Sequence, residues 1–222
     1  PAEPLFRSAS NKLFIYNNQG DSVPAIRNVW ELTAPEMKGN VIFKNPETEK
    51  ANMNFLIMCT EPAWAEKLAE AYRDWKGTDI DPGSFENAGY KWVAEFLDNV
   101  TFGKSDTSIA EELSQKTAAG KIGLFVLSKL RSSSVLTENL TVAQYDASAN
   151  GYAIEPFSGF MYPMYTMVNT KATRPYTAML FIEYLMSQEG FAPWGKSIGS
   201  YSPNPAFTVN EGDLSIDVWK AN

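Results

Sequence analysis

Residues 155–190, EPFSGFMYPMYTMVNTKATRPYTAMLFIEYLMSQEG, constrain the fold more than any other stretch, because the hydrophobic pattern changes from strand-like to helical within one segment. Residues 160–168 are rich in Phe, Tyr, Met and Val and follow the turn residues Pro156, Ser158 and Gly159, which predicts a strand. Further on, Met179, Ile182, Leu185 and Met186 recur at helical spacing, with Leu180 and Phe181 widening the stripe. Thr173 is the predicted N-cap, Pro175 falls in the first turn where its missing N–H costs nothing, and Gly190 is the predicted left-handed stop. A turn, a strand and an amphipathic helix in this order form a unit that can border a ligand cleft.

The same alternation runs through residues 28–150. Val41, Ile42 and Phe43 form a short apolar strand, and the turn at 45–48 leads into a helix through residues 51–58. Thr60, Glu61 and Pro62 open a second helix, with Trp64, Leu68, Ala71 and Trp75 on one face and Gly77 as its stop. A third helix follows Ser84, with Tyr90, Val93 and Leu97 on one face, and Ser108-x-x-Glu111 reads as a capping box for a short fourth. Residues 122–127, IGLFVL, are predicted to be a buried strand, and residues 12–18 an earlier strand closed by Asn17, Asn18 and Gly20. Strands alternating with helices predict an α/β sheet covered on both faces, with ligands bound beyond the carboxyl ends of the strands. The loops after Phe43 and Leu127 are therefore the places to look.

Composition removes several classes of function. A formal charge of −7 opposes binding to nucleic acid, which needs a surplus of Lys and Arg. With 44% hydrophobic residues and no long uninterrupted apolar run, a globular chain without a membrane span is expected. There is no histidine, so Ser-His-Asp and Cys-His catalysis cannot be assembled, and no phosphate-binding loop, dinucleotide fingerprint or CxxC pair occurs. Glu111-Glu112, the only adjacent carboxylate pair, reads as a solvated helix face. An enzyme and a bound cofactor are accordingly not expected. The single cysteine, Cys59, reads as a core residue. Asn99-Val100-Thr101 and Asn139-Leu140-Thr141 match the glycosylation pattern, which arises easily by chance.

The 155–190 stretch also resembles solute-binding proteins of bacterial ABC importers, in particular iron-type and related class II periplasmic binding proteins. The resemblance rests on Pro156 and Gly159, Asn169, then Lys171, Ala172, Pro175, Ala178, Phe181, Ile182, Leu185, Ser187, Glu189 and Gly190. A second stretch, with Trp30 to Thr33, Pro35-Glu36, Lys38 to Val41 and Asn45-Pro46, is similar to the family's passage into its second lobe. The resemblance implies a class II periplasmic-binding-protein-like α/β fold of two lobes joined by hinge strands, with the first lobe incomplete and about the first third of a typical member absent. It implies residues 1–27 as the end of lobe 1 and first crossing, 28–150 as lobe 2, and 151–222 as second crossing and C-terminal part of lobe 1. Hinge strands near residues 14–17 and 152–159 would close the lobes over a small solute and present it to a membrane permease. The resemblance also implies a periplasmic or extracellular monomer, which could be membrane-anchored as a lipoprotein in the full-length protein. The alternative is a sensor that presents its bound solute to a receptor.

Three constellations are candidates for solute contacts. Ser128, Lys129 and Arg131, just past the 122–127 strand, could hold an anion, or else form a solvated loop. In the iron-binding branch this position carries adjacent metal-binding tyrosines, and here there are none, so ferric iron is a less favoured solute than an anion, sugar or polyol. Thr48 and Asn52 flank the first helix start, where backbone amides favour anions but Glu47 and Glu49 would repel them. Tyr16, Asn17, Ser158 and Tyr162 offer rings and polar groups suited to a sugar, polyol or amine.

Overall fold

The computed structural model describes residues 5–19, 26–143, 153–195, 200–202, 204, 206 and 207. Contacts divide the chain into two units. The first comprises Pro1–Lys12, Val126–Arg131 and Met161–Asn222; the second comprises Leu13–Phe125 and Ser132–Phe160. The chain passes between units at residues 12/13 and 160/161, both inside strands, and again at 125/126 and 131/132. The predicted 12–18 strand belongs to a longer one, β1 (Leu5–Asn17), which begins in the first unit and ends in the second. Most of the predicted loop at 21–26, and Tyr152, lie outside the described residues.

In the second unit, β2 (Val41–Lys44) lies between β3 (Val100–Gly103) and β4 (Ile122–Val126), parallel to both. The order continues through β1 to β5 (Leu140–Val142), which runs antiparallel to β1 with Ile15 opposite Val142. Parallel neighbours need crossover connections. Helices α1 (Lys50–Thr60), α2 (Pro62–Lys76) and α3 (Ala88–Asn99) link β2 to β3, and α4 (Asp106–Leu113) links β3 to β4.

Helix α2 follows its sequence signals. Pro62 occupies the first turn, and Gly77, at φ 74°, donates its N–H to Arg73 O at 2.7 Å. Two expectations shift. The buried face of α3 is built on Trp92 and Phe96, while Tyr90 is exposed, because Trp92 stacks on Phe96 with centroids 4.7 Å apart and its Nε1 reaches Val29 O at 3.0 Å. The cap of α4 is Ser105 in place of Ser108: Ser105 Oγ accepts from Ser108 N, and Ser108 Oγ accepts from Ser105 N, both at 3.0 Å.

The core of this unit is aromatic. Phe55 stacks on Phe160 at 4.7 Å and meets Phe157 and Trp92 edge-on. Fully burying each such ring contributes about 1.5–3 kcal/mol, and the preferred ring geometries add about 0.5–1.5 kcal/mol per pair. Buried asparagines tie the periphery to this core. Asn99 Nδ2 donates to Leu32 O and Ala34 O, Asn139 Nδ2 to Ser114 O, and Asn28 Nδ2 to Ala71 O. The two asparagines of the glycosylation-like triplets are therefore interior clamps.

The first unit holds most of β6 (Gly159–Thr166), helix α5 (Pro175–Leu185), helix α6 (Gln188–Gly195) and β7 (Ser200–Tyr201). Strand β6 joins the sheet by pairing with β1, and β7 runs antiparallel to β1 with Ala9 opposite Tyr201. Pro175 opens α5 as expected, after Arg174 and not Thr173. Ile182 and Leu185 face inward, whereas Met179, Leu180 and Phe181 of the predicted stripe are half or more exposed. Gly190 does not stop the helix. It lies inside α6, where a Cβ would fall 1.9 Å from Tyr184 O, so glycine is needed for close approach of the two helices. Part of the C-terminal segment at 197–205 lies outside the described residues.

Candidate functional site

Strands β2 and β3 end together, and α1 and α4 begin just beyond them. The turn before α1 is self-contained: Asn45 O accepts from Thr48 N at 3.1 Å and Thr48 Oγ1 at 3.0 Å, while Asn45 Oδ1 accepts from Glu47 N at 2.9 Å. Glu47 and Thr48 thus precede the helix, and Glu49 is its N-cap residue without a side-chain cap. The expected pair of carboxylates in the first helical turn is not formed.

Lys44, at the end of β2, organises this edge. Its Nζ pairs with Glu49 and lies 3.6 Å from Asp106 Oδ2 at the start of α4. The hydrogen bond that Lys44 donates to Glu49 holds its ammonium above the ordinary lysine range, burial opposes this, and attraction to Asp106 adds to it. One ammonium faces two carboxylates, and the nearby helix N-termini favour negative charge at this edge. Asn52 is buried; its Nδ2 donates to Lys44 O at 2.8 Å, and its Oδ1 has no hydrogen-bond partner. The ammonium of this edge is thus already engaged by carboxylates.

Strand β4 runs parallel to β2, and the chain leaves it through a 3-10 turn, Leu127–Arg131, with Lys129 and Arg131 in the last turn. Ser128 and Lys129 are half-buried and Arg131 is exposed. Nearby, Ser134 Oγ donates to Glu111 Oε1 at 2.6 Å and contacts Ser132 Oγ at 2.7 Å.

The other candidate residues fall elsewhere. Asn17 is buried, with Nδ2 donating to Leu113 O and Gln115 O and Oδ1 accepting from Gln19 N. Ser158 is buried, and its Oγ accepts from Ile154 N at 3.0 Å, closing the turn that contains the cis Glu155–Pro156 peptide. Both side chains are thus engaged by backbone groups of the fold. Thr48 is exposed and Tyr162 half-buried on β6. Tyr16 is buried, which pushes its phenol above the ordinary range, and it lines a cavity of about 370 Å³ near the starts of β2 and β4. In the first unit a hollow of about 570 Å³, mostly apolar, lies between the end of β6 and α5 and is lined by Asn169, Ala172, Pro175, Met179 and Ile182.

Lys44 and Asp106 carry the strand-end chemistry and escaped the sequence reading. Their signal was position: each adjoins the end of a short strand. Among the described residues no three acidic or cysteine side chains converge to hold a metal ion, and no helix is long and apolar enough to cross a membrane.

This α/β architecture is that of class II periplasmic binding proteins. Iron-bound HitA from Pseudomonas aeruginosa superposes with a TM-score of 0.59 at 14% identity, over 98% of this chain and 61% of that one. An ABC transporter structure from Clostridium perfringens gives 0.57 at 13% identity, over 97% and 60%. A two-component system protein described as mediating signal transduction gives 0.56 at 13%, over 98% and 61%. The chain spans about three-fifths of the length of these structures. No family model and no curated protein matches the sequence.

Proposed function

We propose that the chain belongs to the solute-binding component of an ABC importer, which captures a small solute outside the cytoplasmic membrane and hands it to the permease. Binding without catalysis is the reading that the fold and the chemistry of the strand ends support. The observation that carries it is the Leu127–Arg131 turn, which places Ser128, Lys129 and Arg131 immediately beyond the carboxyl end of β4. That end of an α/β sheet is where such folds hold ligands. An anionic or polyol solute fits two cations and a hydroxyl better than bare ferric iron does. Strands β1 and β6, which pass from one unit into the other, are the proposed hinges, and closing on the solute would give the permease a distinct shape to recognise.

A thermal-shift panel of anions, sugars, polyols and ferric iron tests this. The expected result is a raised melting temperature with an anionic or polyol compound, by mass action on the native state. Arg131→Ala should weaken that ligand by about 1.5–3 kcal/mol, the worth of a charged hydrogen bond. A shift with iron alone would overturn the assignment of the Ser128–Arg131 turn.

The similarity to a two-component signalling protein favours a second reading, in which the same capture step feeds a receptor. Neighbouring permease and ATPase genes would support import; a neighbouring kinase gene would support sensing.

A further inference from the structure

The 370 Å³ cavity of the second unit lies at the opposite end of the parallel strands from Lys44. Asn40, which immediately precedes β2, and Gly120, two residues before β4, both border it. Its size suits a small ligand, and its position separates it from the strand ends that carry the proposed solute chemistry.

Two kinds of wall meet there. Tyr16, Trp75, Ile26 and Met37 supply aromatic and apolar surface, and Glu31 and Glu36 supply carboxylates. Glu31 is fixed in place because its Oε1 accepts from the backbone N–H groups of Arg27 and Asn28, both at 2.9 Å, leaving Oε2 outside those bonds. Among the described residues neither carboxylate forms an ion pair. Lys38, next but one to Glu36, is engaged by Asp98 at 2.8 Å, and Lys121, beside Gly120, lies 3.7 Å from Glu112. Trp75 already attracts an ammonium, since Lys76 Nζ lies 3.5 Å from its ring centroid. Carboxylates without counter-ions among the described residues, beside aromatic rings, favour a cation whose charge is carried on an apolar body.

We propose that this cavity binds a small organic cation of the alkylammonium class, with Glu31 and Glu36 holding the charged head and Tyr16, Trp75 and Met37 packing on the alkyl part. The site is independent of the proposed solute site, so either can fail without the other.

The test is a titration of the whole chain with n-butylammonium, followed by the Trp75 indole N–H resonance, which Trp75→Phe identifies by its loss. n-Butanol serves as the uncharged control. The expected result is a saturable shift with n-butylammonium, none with n-butanol, and about three- to fivefold weaker binding in Glu36→Gln, as befits a solvent-exposed charge contact. Glu36 is exposed, so this substitution leaves the fold intact. Absence of a saturable shift, an equal response to n-butanol, or unchanged affinity in Glu36→Gln would each overturn the proposal.

Discussion

The side-chain amide of Asn17 donates to the carbonyl oxygen of Leu113 at 2.7 Å, joining the end of β1 to the end of α4. The same nitrogen donates to Gln115 O at 2.8 Å. Asn17→Leu would strip these carbonyls of their donor in a buried site. The expected loss is about 2–4 kcal/mol, read as a lower urea midpoint with an unchanged slope. An unmoved midpoint would show that the clamp contributes no stability.

Lys44 predicts an alkaline signature. Its folded-state pKa is raised, so its contribution is complete below the unfolded lysine value, roughly 10.4, and is lost as pH rises through the higher folded value. Melting temperatures of the wild type and Lys44→Met should differ most at neutral pH and converge above the ordinary lysine range. A gap that stays constant across that range would exclude the ammonium as its source.

Two glycines should respond differently to alanine. At Gly190 the new methyl has nowhere to go, and about 2–4 kcal/mol should be lost through disruption of the α5–α6 junction. At Gly77 there is open space and only the positive φ opposes a side chain, so about 1 kcal/mol is expected. Comparison of their chemical denaturation midpoints checks the order, and equal losses would contradict the packing argument.

Cys59 is buried, and this pushes its thiol well above the ordinary range. A disulfide reagent such as DTNB should modify it at least about a hundredfold more slowly in native buffer than in denaturant, because reaction requires opening of the core. Comparable rates would place the thiol at the surface.

Regular hydrophobic elements were legible in the sequence. β2 and β4 announce themselves as apolar runs, and α2 is framed by Pro62 and Gly77. β3 was missed because VTFG is short and only partly buried, and β5 for the same reason. The face of α3 was misread because the polar edge of Trp92 is satisfied by Val29 O, a partner 63 residues away. The partner of Asn17, Leu113 O, is likewise distant, 96 residues away, and a polar side chain looks the same in sequence whether its partner is a solute or a distant backbone atom. The ends of β2 and β4 were located in advance, but the Lys44–Asp106 pairing depends on β3 lying beside β2, and the sequence alone does not order the strands.

The division of the two units along the chain also sets an order in time. The second unit is complete once Phe160 has been synthesised, whereas the first draws on Pro1–Lys12, Val126–Arg131 and Met161–Asn222. Residues 9 and 10 of β1 are made well before Tyr201 and Ser200, with which they pair. During vectorial synthesis the second unit can therefore pack while that stretch of β1 still lacks its β7 neighbour, and the polar residues Ser8, Ser10 and Asn11 keep the waiting edge wettable until β7 arrives.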